Sequence, residues 1–199
     1  MSSRTTLRSG AIAATLLALS ACAGGNYRPP SDALVKIGKP YVVRGVTLVP
    51  AADPTYDMLG YASWYGSESG NRTANGERFR PKWITAAHKT LPLPTYVEVT
   101  ALATGRRIVV RINDRGPFVP GARIIDLSQG AADELGIRQG GHAAVRVRRI
   151  EPSEADRRRL LKGKPARDLP PESDQAVGRL QSQLSAAGMS LTGRSARRF

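Results

Sequence analysis

Between Tyr96 and Arg149, apolar and polar residues alternate in three short runs separated by turns. In Tyr96–Leu102, Val97, Val99 and Ala101 share one face, and Glu98 and Thr100 the other. Arg107–Asn113 sets Ile108, Val110 and Ile112 against Val109, Arg111 and Asn113, and Ala143–Arg149 sets Val145 and Val147 against Arg146 and Arg148. A repeat of two matches a half-buried strand and not a helix, whose repeat is 3.6. Thr104-Gly105 marks a turn between the first two runs, and Leu59–Tyr65 has strand-like composition. One short helix is predicted, with Ser128 as N-cap, Ala131, Ala132 and Leu135 as its apolar stripe and Gly136 as its end. These elements predict a small, mainly β barrel over about 90 residues, Leu59–Ile150.

The chain has 199 residues, enough for one domain with tails. A single cysteine excludes an internal disulfide framework, and two histidines beside it argue against a zinc site, so no metal is expected. Residues 1–21 carry Arg4 and Arg8, no acid, and the apolar stretch Ala11–Leu19, the layout of a secretory signal. No apolar run reaches the ~18–20 residues of a membrane span. Leu19-Ser20-Ala21-Cys22 resembles the bacterial lipobox, in which cleavage precedes the cysteine and its thiol is lipidated, palmitate being one acyl group of this kind. Cys22 is therefore the expected lipidation site and membrane anchor. Ala23, in place of Asp, points to the periplasmic face of the outer membrane rather than the plasma membrane. The formal net charge of +14 then meets anionic lipid and cell-wall carboxylates, and no nucleic acid is expected as a partner. Residues 22–58 read as a tether, partly ordered at its far end around the β-like run Tyr41–Val49. Residues 151–199 read as a basic, disordered tail.

Three segments of the barrel, read as loops, hold residues that a plain core does not need. They are Arg72-Thr73-Ala74-Asn75-Gly76-Glu77, the stretch Thr85–Pro92 with His88, and Asn113-Asp114-Arg115-Gly116-Pro117-Phe118. Each candidate has an ordinary structural alternative. Glu77 fits a solvated turn, His88 a hydrogen-bonded structural histidine, and Asp114 a turn cap paired with Arg115. Asp126 fits a residue that orders the turn into the helix or pairs with an arginine. Tyr65, Trp64 and Trp83 are candidate sugar-stacking rings, with Trp64 and Tyr65 equally suited to the core. Arg111, Arg115 and Arg123 are candidate partners for substrate oxygens or solvated surface.

Taken together, Ala62-Ser63-Trp64-Tyr65-Gly66, Thr73–Glu77, Thr85–Pro92, Val110–Phe118 and Ile124-Ile125-Asp126-Leu127-Ser128 resemble, in order and spacing, the rare lipoprotein A family. The resemblance covers Gly60–Ile150. It implies a six-stranded double-psi β-barrel with one or two short helices, flanked by a flexible N-terminal segment and the basic C-terminal one. It also implies endolytic lytic transglycosylase activity on peptidoglycan, with a preference for glycan strands lacking stem peptides, in cell wall remodelling. The family's functional acid, histidine and second acid fall on Glu77, His88 and Asp114. Tyr65, Asn75, Arg115 and Asp126 are the implied substrate-binding residues, no cofactor is implied, and a monomer is expected. In this reading Asp114 protonates the leaving oxygen, with Glu77 and His88 orienting it and His88 as a second proton carrier. A charged Glu77 nearby is expected to raise its pKa, and a cationic His88 or Arg115 to lower it.

Two features depart from the family. Ser67–Arg72 stands where many members carry Phe-His-Gly-Arg, and the residues after Ile150 lack the pattern of the members' C-terminal glycan-binding domain. The alternative reading is a non-catalytic peptidoglycan-binding envelope lipoprotein, and a third is an anionic-surface binder driven by charge alone.

Overall fold

The structure, a computed structural model, describes residues 26–119 and 121–189; Cys22 and the signal region lie outside them. A hairpin of β1 (Tyr41–Val43) and β2 (Val46–Leu48) precedes β3 (Asp57–Tyr65), β4 (Thr85–His88), β5 (Thr95–Ala101), β6 (Arg107–Asp114), β7 (Arg123–Ser128), α1 (Gln129–Leu135), β8 (His142–Arg149), α2 (Glu154–Leu161) and α3 (Asp174–Ala186). Strands β3–β8 close into a barrel in the order β3-β7-β4-β6-β5-β8. The pairs β3–β7 and β4–β6 are parallel and the others antiparallel. The six-stranded mainly β barrel is as expected. The helices number three among the described residues rather than one or two, with a further 3₁₀ turn at Ser67–Ser69.

The alternation read from the sequence sets the interior. Ala62, Ala86, Val97, Val99, Val110, Ile112, Ile125, Leu127, Val145 and Val147 are all fully buried there. Helix α1 starts where expected, the Ser128 hydroxyl accepting from Ala131 N at 3.2 Å, and ends on Gly136 at φ +80°. Strand β4 was expected as loop. Its four residues, Thr-Ala-Ala-His, are too few and too weakly β-prone to stand out, and pairing with β6 and β7 makes the strand.

The expected disordered tail is a correction through Met189. Helices α2 and α3 pack on the barrel, with Leu160 at 1% and Leu184 at 0% exposure. Glu172 N donates to Gly105 O at 2.8 Å, and Gln181 Nε2 to Leu102 O at 2.7 Å. A side chain at Gly163 would strike the Trp83 ring, so only glycine lets this backbone pass. The helices escape a composition-based reading because a few widely spaced apolar anchors carry them, among many charges. We predict that Leu184→Ala costs about 2–5 kcal/mol, read as a lower unfolding midpoint; an unchanged midpoint would contradict the docking of α3.

The tether is likewise ordered from Asn26 to Tyr56 and lies along the barrel. Lys36 and Leu93 exchange two backbone hydrogen bonds of 2.8 Å, Arg28 N donates to Gly76 O at 2.8 Å, and Ala51 N to Thr90 O at 3.1 Å. Backbone bonds of this kind leave no side-chain periodicity to read.

Candidate functional site

A register slip places the central acid. Ala86 faces Ile112 across β4–β6, but Ala87 faces Asp114, so Asn113 is an extra residue on β6. Such a bulge re-aims the side chains beyond it, bringing Asp114 to the side of Ala87, away from the apolar interior. On the other edge of β4, Ala87 faces Asp126, which in turn faces Ser63 of β3. One row across four strands thus reads Asp114, Ala87, Asp126, Ser63. At strand spacings of ~4.8 Å, the two acids start about 10 Å apart, with only an alanine between them. Gly116, at φ +141°, keeps that floor low, because a Cβ there would lie 3.4 Å from Ala87 Cβ and 3.7 Å from Asp126 Oδ2.

Each acid has one oxygen fixed. Asp114 Oδ1 accepts from Ala74 N at 2.7 Å and Arg115 N at 2.8 Å, and Oδ2 takes no hydrogen bond among the described residues. Burial raises the Asp114 pKa, against the lowering effect of those two backbone donors and the Arg115 charge. Asp126 Oδ1 accepts from Ser63 Oγ at 2.7 Å and lies 3.1 Å from Arg123 Nε, a close approach not aligned as a hydrogen bond. Burial raises the Asp126 pKa as well. The result is a pair of carboxyl groups in which proton retention is favoured and one oxygen of each remains available.

Glu77 is neither a solvated turn residue nor a direct neighbour tuning Asp114. It is 1% exposed, and Arg111 grips it with Nη1 to Oε2 at 2.8 Å and Nη2 to Oε1 at 2.9 Å. Asn75 Nδ2 adds a bond to Oε1 at 3.0 Å and Asn113 Nδ2 one to Oε2 at 2.9 Å. Glu77 therefore acts at a distance. It locks the 73–77 turn, whose Ala74 N holds Asp114, and Asn113, the bulge residue beside Asp114. Arg111, read from sequence as a substrate contact or solvated surface, is 1% exposed and also holds Asp32 Oδ1 at 3.0 Å. Tyr96 Oη donates to Asp32 Oδ2 at 2.6 Å, and Arg157 Nη1 to the same oxygen at 3.2 Å.

His88 does not fit the role of proton carrier. It is 2% exposed, and Nδ1 accepts from Thr90 N at 3.2 Å and Leu91 N at 3.0 Å. The proton therefore sits on Nε2, 2.9 Å from Tyr56 Oη. Desolvation, with the Arg115 and Lys89 charges, pushes its pKa down to about 3. No cationic His88 then lowers the Asp114 pKa. The depressed value makes stability fully present above the unfolded pKa of 6.5 and lost as pH falls toward about 3. This loss is of order 5 kcal/mol at full extent. We predict that denaturant-derived stability falls between pH 6.5 and pH 4, and that His88→Gln flattens the decline. An equally steep decline in the variant would overturn the assignment.

The remaining candidates divide. Arg115 is occupied, with Nη1 to Leu91 O at 2.6 Å and Nη2 to Ile37 O at 2.7 Å, so it clamps the N-terminal segment to the barrel. Asn75 is 2% exposed, its carbonyl accepting from Arg28 Nη1 at 3.1 Å. The Tyr65 ring stacks on Phe79 at 4.8 Å between centroids, which takes one face from any sugar. Trp64 Nε1 donates to Arg138 O at 3.1 Å, and Arg80 covers Trp83 at 4.3 Å, so both rings serve packing. Arg123 faces Asp126. Sequence reasoning missed Asp32, Arg28 and Tyr56, which lie outside every quoted motif and gain their roles only through contacts distant in the chain, and it did not single out Ser63 within its motif. Among the described residues no cluster of three or more His, Cys, Asp or Glu is placed to hold a metal, and no helix is long and apolar enough to cross a membrane.

Comparison with known proteins adds an independent line. Residues 57–147 match the family model described as lytic transglycolase, a double-psi β-barrel domain. Over 150 residues the chain is 47% identical to the endolytic peptidoglycan transglycosylase RlpA of Pseudomonas aeruginosa (strain UCBPP-PA14), covering 74% of this chain and 42% of that one. The protein of the same name from Rickettsia felis is 43% identical over 126 residues, 61% of this chain and 54% of that one. The one from Neisseria meningitidis serogroup B is 41% identical over 152 residues, 71% and 63% respectively. The chain thus spans about two fifths to three fifths of the length of these relatives.

Proposed function

We propose that this chain, whose residues 57–147 match the lytic transglycolase family model, is an endolytic peptidoglycan lytic transglycosylase with Asp114 as its acid. The observation that carries the reading is the state of Asp114: pinned through Oδ1, available through Oδ2, and raised in pKa by burial. A general acid needs this combination of fixed geometry and a pKa moved upward from the ordinary carboxyl value. The reaction cleaves the bond between N-acetylmuramic acid and N-acetylglucosamine. The muramic C6 oxygen bonds to C1 as the C1–O4 bond breaks. The leaving O4 takes the Asp114 proton, and Asp114 then accepts the C6 hydroxyl proton. The protonation state of the protein is restored, no water is consumed, and the product carries a 1,6-anhydro ring. This needs one carboxyl group in two roles, unlike hydrolysis, in which a second carboxylate activates water or attacks the sugar.

Strands without stem peptides are the preferred substrate in this proposal. Their muramic residues expose free lactyl carboxylates, and Arg72, Arg78 and Arg80 stand exposed along the turn that holds Asp114. Such charges attract a polyanion at long range and are screened by salt. The cell-envelope placement follows from the signal and Cys22, whose lipid would anchor the protein on the periplasmic face of the outer membrane, in service of wall remodelling. Arg28, which docks on Gly76, is only six residues after Cys22, so an anchored chain would work close to the membrane surface. The protein is proposed to act as a monomer, without nucleic acid.

The test is digestion of stripped and intact peptidoglycan side by side. Release of soluble fragments, faster from stripped strands and slowed by salt, is expected. Equal rates would remove the preference. Co-sedimentation with glycan and no release would favour the non-catalytic binder.

A further inference from the structure

The hairpin of β1 and β2 precedes the residues that match the family model, 57–147, and adds a wall beside the acids. Cross-strand pairing puts Tyr41, Val43, Val46 and Leu48 on one face of it. Tyr41 holds that face against the barrel rim. Its Oη donates to Lys89 O at 2.7 Å, and its ring meets Phe118 edge-on at 6.4 Å between centroids. Hairpin and rim enclose a solvent-open cleft of about 210 Å³, lined by Val43, Arg44, Val46 and Leu48 on one side and by Lys89 and Pro117 on the other. The cleft adjoins the row of acids. Lys89 follows His88 at the end of β4 and lies within the field of Asp126. Pro117 follows Gly116, where a Cβ would lie 3.7 Å from Asp126 Oδ2. None of the lining residues is among the substrate contacts that the family resemblance implies.

Two features of this cleft call for a ligand. Arg44 and Lys89 set positive charge against apolar walls, and neither side chain makes an ion pair or donates a hydrogen bond among the described residues. Arg44 is also the one non-glycine residue at positive φ among them, at +48°. Asn or Gly serves a two-residue hairpin turn of this kind at less cost, so the turn does not account for the arginine. The volume lies below the ~300–1,000 Å³ of ordinary small-molecule sites, which suits a substituent rather than a whole disaccharide. An ammonium group would be repelled, and a purely apolar group would leave both cations unmatched. A lactyl ether carries a methyl and a carboxylate on one carbon, and so answers both walls and charges. We propose that this cleft holds the lactyl group of a muramic residue, its methyl against Val43, Val46 and Leu48 and its carboxylate between Arg44 and Lys89. A stem peptide turns that carboxylate into an amide and removes its charge. The preference for stripped strands then has a contact at the hairpin, besides the long-range attraction of Arg72, Arg78 and Arg80. This deepens the transglycosylase reading and rests on it for the identity of the glycan.

The test compares stripped glycan with the same glycan after its carboxylates are converted to methylamides. Affinity is read by co-sedimentation of the full chain carrying Asp114→Asn, which leaves the glycan whole, in salt high enough to screen distant charges. The chain with its hairpin intact should favour the free carboxylates by roughly threefold to tenfold, as two partly exposed ion pairs allow. Arg44→Asn, alone and with Lys89→Gln, should reduce and then abolish that discrimination, while Arg44→Lys keeps it. Asn tolerates the left-handed conformation, so Arg44→Asn should hold or raise the unfolding midpoint. A lower midpoint would make Arg44 a structural residue and overturn the proposal. Discrimination that survives in the double variant would overturn it too. So would unchanged discrimination together with a loss of binding to phosphatidylglycerol vesicles, which would assign the cleft to lipid. Failure of the transglycosylase reading is seen separately, as absence of anhydro product from the wild-type protein.

Discussion

Asp114→Asn is expected to lower glycan cleavage by about 10²–10⁴-fold, the usual loss on removing a general acid, while the barrel stays folded. The amide keeps an oxygen for Ala74 N and Arg115 N, so the local geometry survives. Stability should not suffer at neutral pH. Because burial raises the Asp114 pKa, the carboxyl group contributes stability below its unfolded value of 3.8, and that contribution is lost as pH rises through the folded value. Asn avoids that loss. The same shift sets the pH profile. The reaction needs a protonated Asp114, so its rate should fall as pH rises through a value above 3.8. A circular dichroism melt alongside the rate assay checks both parts. An active Asp114→Asn protein, or one that loses activity by unfolding, would overturn the assignment.

Arg111→Met is expected to have the largest effect on stability. Arg111 and Glu77 are each 1% exposed, and removal of the guanidinium leaves Glu77 buried with only the two amide donors of Asn75 and Asn113. Breaking a buried pair from one side typically costs about 3–5 kcal/mol, roughly a fifth to the whole of a typical domain's margin. Asp32, deep in the same network, loses its Nε partner at the same time. The double variant Glu77→Gln with Arg111→Met should recover much of the loss, because the stranded charge is gone. Urea unfolding of the single and double variants measures this. An Arg111→Met protein as stable as wild type would refute the view that Glu77 acts through structure.

The barrel was legible because its interior obeys a repeat of two: Val97 and Val99, Val110 and Ile112, and Val145 and Val147 all turn inward as the sequence indicates. The cap and stop of α1 were legible for the same reason, since Ser128 and Gly136 act through local chemistry. What escaped was non-local. Nothing in Thr85–His88 shows that two neighbours complete it as a strand, and nothing in residues 151–189 shows that Leu160 and Leu184 find a surface. The site follows the same division. The resemblance drew attention to Glu77, His88 and Asp114 and put the proton on Asp114, with His88 as a second carrier, but motif spacing gave that order no physical ground. Burial supplies it: Glu77 is tied by four hydrogen bonds, His88 is held neutral, and Asp114 alone of the three keeps an unbonded oxygen among the described residues. The bulge at Asn113, which aims Asp114, depends on register and has no signature in composition.

The most direct test of the central claim is the mass of the fragments that the wild-type protein releases from stripped glycan. Chains ending in 1,6-anhydro-muramic acid are expected, each lighter by one water than the hydrolysis product. Fragments of the hydrated mass would contradict it, since they require an activated water in place of the C6 hydroxyl.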